Sequence, residues 1–137
     1  MTAPDPMPVV IFLHDGAYDR VHQGLSIAAA STALGRRVDI YVFWWALERF
    51  ARDALDAPDD SWGHPETLQR MEARNFPTCR ELLAHVRQSG LCRVTACSAS
   101  LELVSAERGV VPANVDQVLG WTSILTQTTG ATDRFYL

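Results

Sequence analysis

The sequence predicts a three-layer α/β/α domain built on a mainly parallel five-stranded sheet, and three observations carry that prediction. Short apolar runs rich in Val, Ile and Phe alternate with stretches whose apolar residues recur at helical spacing. These runs fall far short of the roughly 20 residues that span a bilayer, so they suit strands buried on both faces. At 137 residues the chain is the size of one domain, 1–137, and can bury a core without disulfides or metals. Parallel neighbours need crossover connections, which are right-handed, so helices are expected on both faces of the sheet.

Taken in order, Pro8 to Leu13 is a β-branched run that reads as the first strand, with His14-Asp15-Gly16 as its turn. From about Asp19 to Leu34 the residues Val21, Leu25, Ala28, Ala29 and Thr32 mark a helix, and Gly35 stands where a C-terminal cap belongs. Val38 to Phe43 reads as the second strand, running directly into Trp44-Trp45-Ala46-Leu47 and a short helix through Arg52. Between Asp53 and Asn75 the composition shifts to Asp, Pro, Gly and Ser, which predicts a mobile loop with a helical turn or two and Leu68 and Met71 as its few buried residues. Thr78 and Glu81 form a capping box ahead of Leu82, Leu83 and Val86. A third strand from Leu91 to Ala96 follows, then a helix from Ser98 to about Glu107 ended by Gly109. Val115 to Leu119 is a fourth strand, Trp121 to Thr129 a helix, and Arg134 to Leu137 a last strand. Reactive groups in such folds gather at the carboxyl ends of the strands, here His14-Asp15-Gly16, Trp44-Trp45, Cys97-Ser98 and Gly120-Trp121.

An apolar fraction of 47% and a charged fraction of 20% are those of a globular chain, which excludes general disorder. The net charge of −4 and the lack of any Lys or Arg run predict no nucleic-acid partner. Met1 to Pro8 has neither a basic stretch ahead of an apolar core nor a small-residue cleavage site, so no membrane association and a cytoplasmic location are expected. Three cysteines, an odd number, suit free thiols in a reducing compartment. Cys92 and Cys97 would stand about 16 Å apart along an extended strand at ~3.3 Å per residue. That is beyond a disulfide's Cα reach of ~7 Å.

Cys97, between a buried strand and the helix opening at Ser98, is the leading chemical residue, because unpaired helix amides and the positive end of the dipole favour a thiolate over a thiol. The other reading of the same residue is a small apolar side chain packed under the helix. Cys79, in the first turn of a capped helix beside Arg80, is the rival, with its helix start placed on the face away from the strand carboxyl ends. Cys92 reads as core. His14 and Asp15 could orient a ligand or a proton, yet Asp-Gly after a strand is also ordinary turn chemistry. Trp44, Trp45 and Trp121 suit core or subunit contacts, or the wall of a strand-end pocket that Ser98 and Gly120 would also border. His22, His64 and His85 never pair with each other or with cysteine at zinc-site spacing, so no metal is expected. No cofactor is expected either, since Walker-type, Gly-x-Gly-x-x-Gly, Gly-x-Ser-x-Gly and Cys-x-x-Cys patterns are missing.

The order of four segments resembles the DsrE/DsrF-like family of small sulfur-relay proteins, over nearly the whole length. They are Val9 to Gly16; Val42-Phe43-Trp44-Trp45-Ala46-Leu47; Ala96-Cys97-Ser98-Ala99-Ser100 with Arg108-Gly109-Val110; and Val118-Leu119-Gly120-Trp121. The resemblance implies a flavodoxin-like variant fold, assembly as homo-trimers or hexamers, and donor and acceptor proteins as partners. It also implies a persulfide held on Cys97 and passed to an acceptor thiol, the action of a sulfurtransferase. Ser98-Ala99-Ser100 departs from the alanine-rich sequence of the sulfur-relay branch, and Pro77-Thr78-Cys79 lacks the wider Thr and Cys spacing of peroxidase sites. The expectation from a different class is a non-catalytic oligomeric module of the same fold that binds a small ligand or a protein, with Cys97 merely packed.

Overall fold

The computed structural model describes residues 6–59, 65–105 and 107–137. Its strands are β1 (Val9–Leu13), β2 (Val38–Val42), β3 (Cys92–Cys97), β4 (Gln117–Leu119) and β5 (Arg134–Tyr136). Its helices are α1 (Tyr18–Ala33), α2 (Trp44–Ala51), α3 (Pro65–Ala73), α4 (Cys79–Gln88), α5 (Ser98–Val104) and α6 (Trp121–Gln127). The sheet order is β4-β3-β2-β1-β5, with every pairing parallel. The chain therefore steps outward from β1 to β4 and returns to β1's other side, so the topological switch point lies between β1 and β5.

All five residues of β1 and of β2 are buried, which is why β1 runs apolar without alternation; in β2 the one charged residue, Asp39, is paired with Arg93 at 3.5 Å. The two faces differ in cover. On one, Val9, Ile11, Leu13, Ile40, Val42 and Val94 pack against α1, α2, α4 and the end of α5. On the other, Val10, Phe12, Tyr41, Phe43 and Cys97 meet Ile124 of the short helix α6. Gly35 ends α1 at φ +75°, a conformation that a side chain disfavours. The Thr78/Glu81 capping box is present, with the Glu81 amide donating to Thr78 Oγ1 at 3.1 Å.

Three boundaries depart from the sequence reading. The 53–75 segment holds a nine-residue helix, α3, whose signal was Pro65 ahead of good helix formers. None of its residues is buried: Met71 is half-buried and Leu68 is exposed. Residues 60–64, among them His64, lie outside the described residues. α5 stops at Val104 because Ser105 turns extended and its hydroxyl donates to the Glu107 carbonyl at 2.9 Å, a local alternative to the helix ladder. β4 begins at Gln117, since the Asp116 carboxylate, rather than a backbone carbonyl, takes the Val94 amide at 2.8 Å.

Candidate functional site

Cys97 is the last residue of β3, paired with Leu119, and the N-cap residue of α5, where its side chain accepts no capping hydrogen bond. The residue is only 2% exposed and belongs to the apolar cluster of Val10, Phe12, Tyr41, Phe43 and Ile124. Aromatic rings close over this cluster: Phe43 stacks on Trp121 at 4.8 Å between centroids and Phe12 on Tyr136 at 4.7 Å. Trp121 remains half exposed on its outer side.

The other residues expected to share a site with Cys97 stand on the same edge of the sheet but divide among separate surfaces. Asp15 caps the turn, its Oδ1 accepting the Ala17 amide at 2.8 Å, and borders a hollow of about 530 Å³ with Gly16, Trp45 and Arg49. The exposed His14 donates its amide to the Leu137 carbonyl at 2.7 Å. Ser98 lines a different hollow of about 270 Å³ with Leu101, Arg108 and Val118. Gly120 is the N-cap of α6, and a Cβ there would sit 3.6 Å from Ser98 Oγ. Trp44 is exposed, adopts φ +42° at the start of α2, and has its ring 5.7 Å from that of Trp45. Cys97 lines neither hollow.

Cys79 requires a correction of place. A crossover helix runs back along the sheet, so its first residue lies over the strand carboxyl ends and not on the opposite face. Asp56 shows it: the carboxylate accepts the Cys79 and Arg80 amides at 2.9 and 3.1 Å and also the hydroxyl of Tyr18, the residue that opens α1. The thiol is nonetheless not activated. Burial pushes Cys79 up to about 12; a hydrogen bond with Tyr18 and the more distant Arg49 pull it back, while Asp56 pushes it further up. Desolvation thus outweighs the Tyr18 hydrogen bond and the Arg49 charge. Cys92 is half-buried against the main core, and burial pushes it up to about 12, with Arg87 opposing and Asp116 and Asp39 adding to the rise.

Sequence reasoning missed two features of this edge. The first is Arg49 of α2, whose guanidinium donates to the carbonyls of Gly16, Ala54, Leu55 and Ala57 and lies 3.9 Å from the Asp59 carboxylate. One side chain therefore binds the β1–α1 turn to the segment after α2. The second is a cleft of about 510 Å³ between that segment, α3 and the starts of α1 and α4. Tyr18, Leu68, Met71 and Phe76 form its apolar surface, and Asp56, Asp59, Glu72 and Glu81 its polar one. Its signal was the pair Leu68 and Met71, conspicuous as apolar residues in a polar stretch.

No family model matches the chain, and no curated protein does. Solved structures do. The ychN protein from E. coli superposes with a TM-score of 0.59 at 12% identity, over 96% of this chain and 99% of that one. MTH1491 from Methanobacterium thermoautotrophicum, a protein of unknown function, gives 0.58 at 15% identity over the same shares. Likeness at these identities establishes the fold: a flavodoxin-like, DsrE-type α/β arrangement.

Proposed function

We propose that this chain is a non-catalytic, self-associating module of the DsrE-type fold that binds a small ligand at the carboxyl edge of its sheet. The observation that carries this reading is the burial of Cys97, 2% exposed among Val10, Phe12, Tyr41, Phe43 and Ile124. A sulfur this deep in an apolar cluster has no open path for an in-line attack on a donor persulfide. The cleft beside Tyr18 has the volume of small-molecule sites and mixes apolar walls with a few fixed polar groups. Self-association is supported by the exposed apolar residues Trp121, Leu125 and Tyr136 on the thinly covered face. Its measure is the solution mass. Three unpaired cysteines support a reducing, cytoplasmic setting.

A second reading, a sulfur carrier acting as a sulfurtransferase, is favoured by the seat of Cys97 at the start of α5, beside amides that have no intrahelical partner. In that reaction the Cys97 thiolate attacks the outer sulfur of a donor persulfide. The donor S–S bond breaks, the donor leaves as a thiolate, and an acceptor thiolate later takes the sulfur and regenerates Cys97.

Intact mass after incubation with a persulfide donor separates the two. The module reading expects no sulfur added to wild type. One added sulfur on wild type that Cys97→Ser abolishes would overturn it and establish the carrier.

A further inference from the structure

We infer that the outer edge of β5 pairs antiparallel with β5 of a second copy of this chain, about a two-fold axis through Phe135, joining two five-stranded sheets into one. The inference rests on the self-association reading above and names the surface that carries it.

The backbone of β5 sets the phase. Asp133 accepts the Val10 amide, and Leu137 donates to the Phe12 carbonyl and accepts from His14, so alternate residues of this segment, with Phe135 between them, face β1. Arg134 and Tyr136 therefore turn their N–H and C=O groups outward. Among the described residues none of these four groups has a hydrogen-bond partner, and no strand lies beyond β5. In an antiparallel pair, two residues directly opposite exchange both of their backbone bonds, and such pairs alternate with unbonded ones. A two-fold axis through Phe135 sets Arg134 opposite the partner's Tyr136 and Tyr136 opposite the partner's Arg134. All four outward groups of each copy are then satisfied, with no shift of either strand.

The side chains are self-complementary about the same axis. Phe135, on the sheet face of Ile11, is 38% exposed, and the axis brings it against its own copy as the closely spaced, unbonded pair. On the other face Tyr136 is 67% exposed beyond its stack on Phe12. Arg134, whose guanidinium donates to the carbonyls of Thr128 and Ala131, would stand beside the ring of the partner's Tyr136, a cation next to a π-face. Sheet edges that stay unpaired are commonly guarded by proline, lysine or a bulge, and Arg134–Tyr136 has none of these. The opposite edge, β4, is half-buried along its length, and a contact of β4 with β5 would leave one edge of each kind open in a pair.

The test uses the full chain. Sedimentation equilibrium of wild type is expected to give an even number of copies. Tyr136→Pro removes an outward N–H and no bond to β1, so it is expected to weaken association about tenfold or more, two bonds between copies being lost per pair. Amide exchange on wild type does not depend on how that variant folds. The Arg134 and Tyr136 amides should slow about tenfold or more between dilute and concentrated solution, while the Phe135 amide, turned to β1, stays protected in both. Phe135→Cys should close a disulfide between copies on mild oxidation, since opposed residues of an unbonded pair have Cα atoms about 4.5 Å apart. Tyr136→Cys, displaced along the strand from its own copy, should not. An odd-numbered assembly, unchanged exchange at Arg134 and Tyr136, or cross-linking of Tyr136→Cys as readily as Phe135→Cys overturns the edge pairing and leaves self-association through the α6 face. A wild-type monomer at every concentration tested overturns both the inference and the self-association it rests on.

Discussion

The Tyr18 hydroxyl donates to the Asp56 carboxylate at 3.1 Å, joining residues 38 apart in sequence. The same carboxylate takes two amides at the head of α4, so one side chain caps a helix and satisfies a buried phenol. Asp56→Ala should lower the unfolding free energy by about 1–2 kcal/mol, the loss of a helix-end cap together with the tyrosine's hydrogen bond to the carboxylate. Urea denaturation measures it. In a Tyr18→Phe background the same substitution should cost less, because the hydroxyl is already gone.

Arg49→Lys should cost about 2 kcal/mol or more despite keeping the charge, since a single ammonium cannot reach the four carbonyls that the guanidinium fork spans. Limited proteolysis should then cut first within residues 53–59.

Gly16→Ala should destabilise by about 1–3 kcal/mol. A Cβ there would stand 2.8 Å from Trp45 Cβ and 2.9 Å from the Trp45 carbonyl oxygen, backbone that cannot swing aside. A fall in thermal midpoint with unchanged far-ultraviolet dichroism would identify it as a packing effect.

Cys79 and Cys92 have folded-state values raised by burial to about 12 from 9.0. Each therefore contributes stability fully present below the unfolded value and lost as pH rises towards the folded one, in the window from about 9 to 12. Urea midpoints measured across that range should decline, and the decline should shrink in Cys79→Ala. At pH 8 both thiols should alkylate far more slowly in the native than in the unfolded chain.

Asp116 behaves oppositely. Burial alone would raise its carboxyl, but the Arg87 guanidinium, at 2.8 and 3.1 Å, and the Val94 amide outweigh burial and hold it below its ordinary value. A depressed value gives stability present above the unfolded value of about 3.9 and lost as pH falls through the folded one. Asp116→Asn should flatten the acid limb of the stability profile below pH 4 and destabilise the protein at pH 7.

The fold was legible where neighbours in sequence decide the outcome. Val9 to Leu13 and Val38 to Val42 announced themselves as strands because both faces are covered, and Thr78 with Glu81 announced a helix start because the cap is a local bond. The site was legible only as an edge. His14, Asp15, Trp44, Ser98, Gly120 and Trp121 do stand at strand carboxyl ends, yet Asp15 and Ser98 border different hollows and Cys97 lines neither.

Periodicity, capping and turn chemistry are short-range, so residue order alone settled that the sheet is parallel and helix-covered, and that no disulfide could join Cys92 to Cys97. Burial and proton affinity belong to convergence over long separations. Only the assembled chain could enclose Cys97 beneath Phe43, fasten Asp56 to Tyr18 and Cys79, and set Leu68 and Met71 against carboxylates from three segments, since desolvation depends on everything that surrounds an atom and not on its neighbours along the backbone.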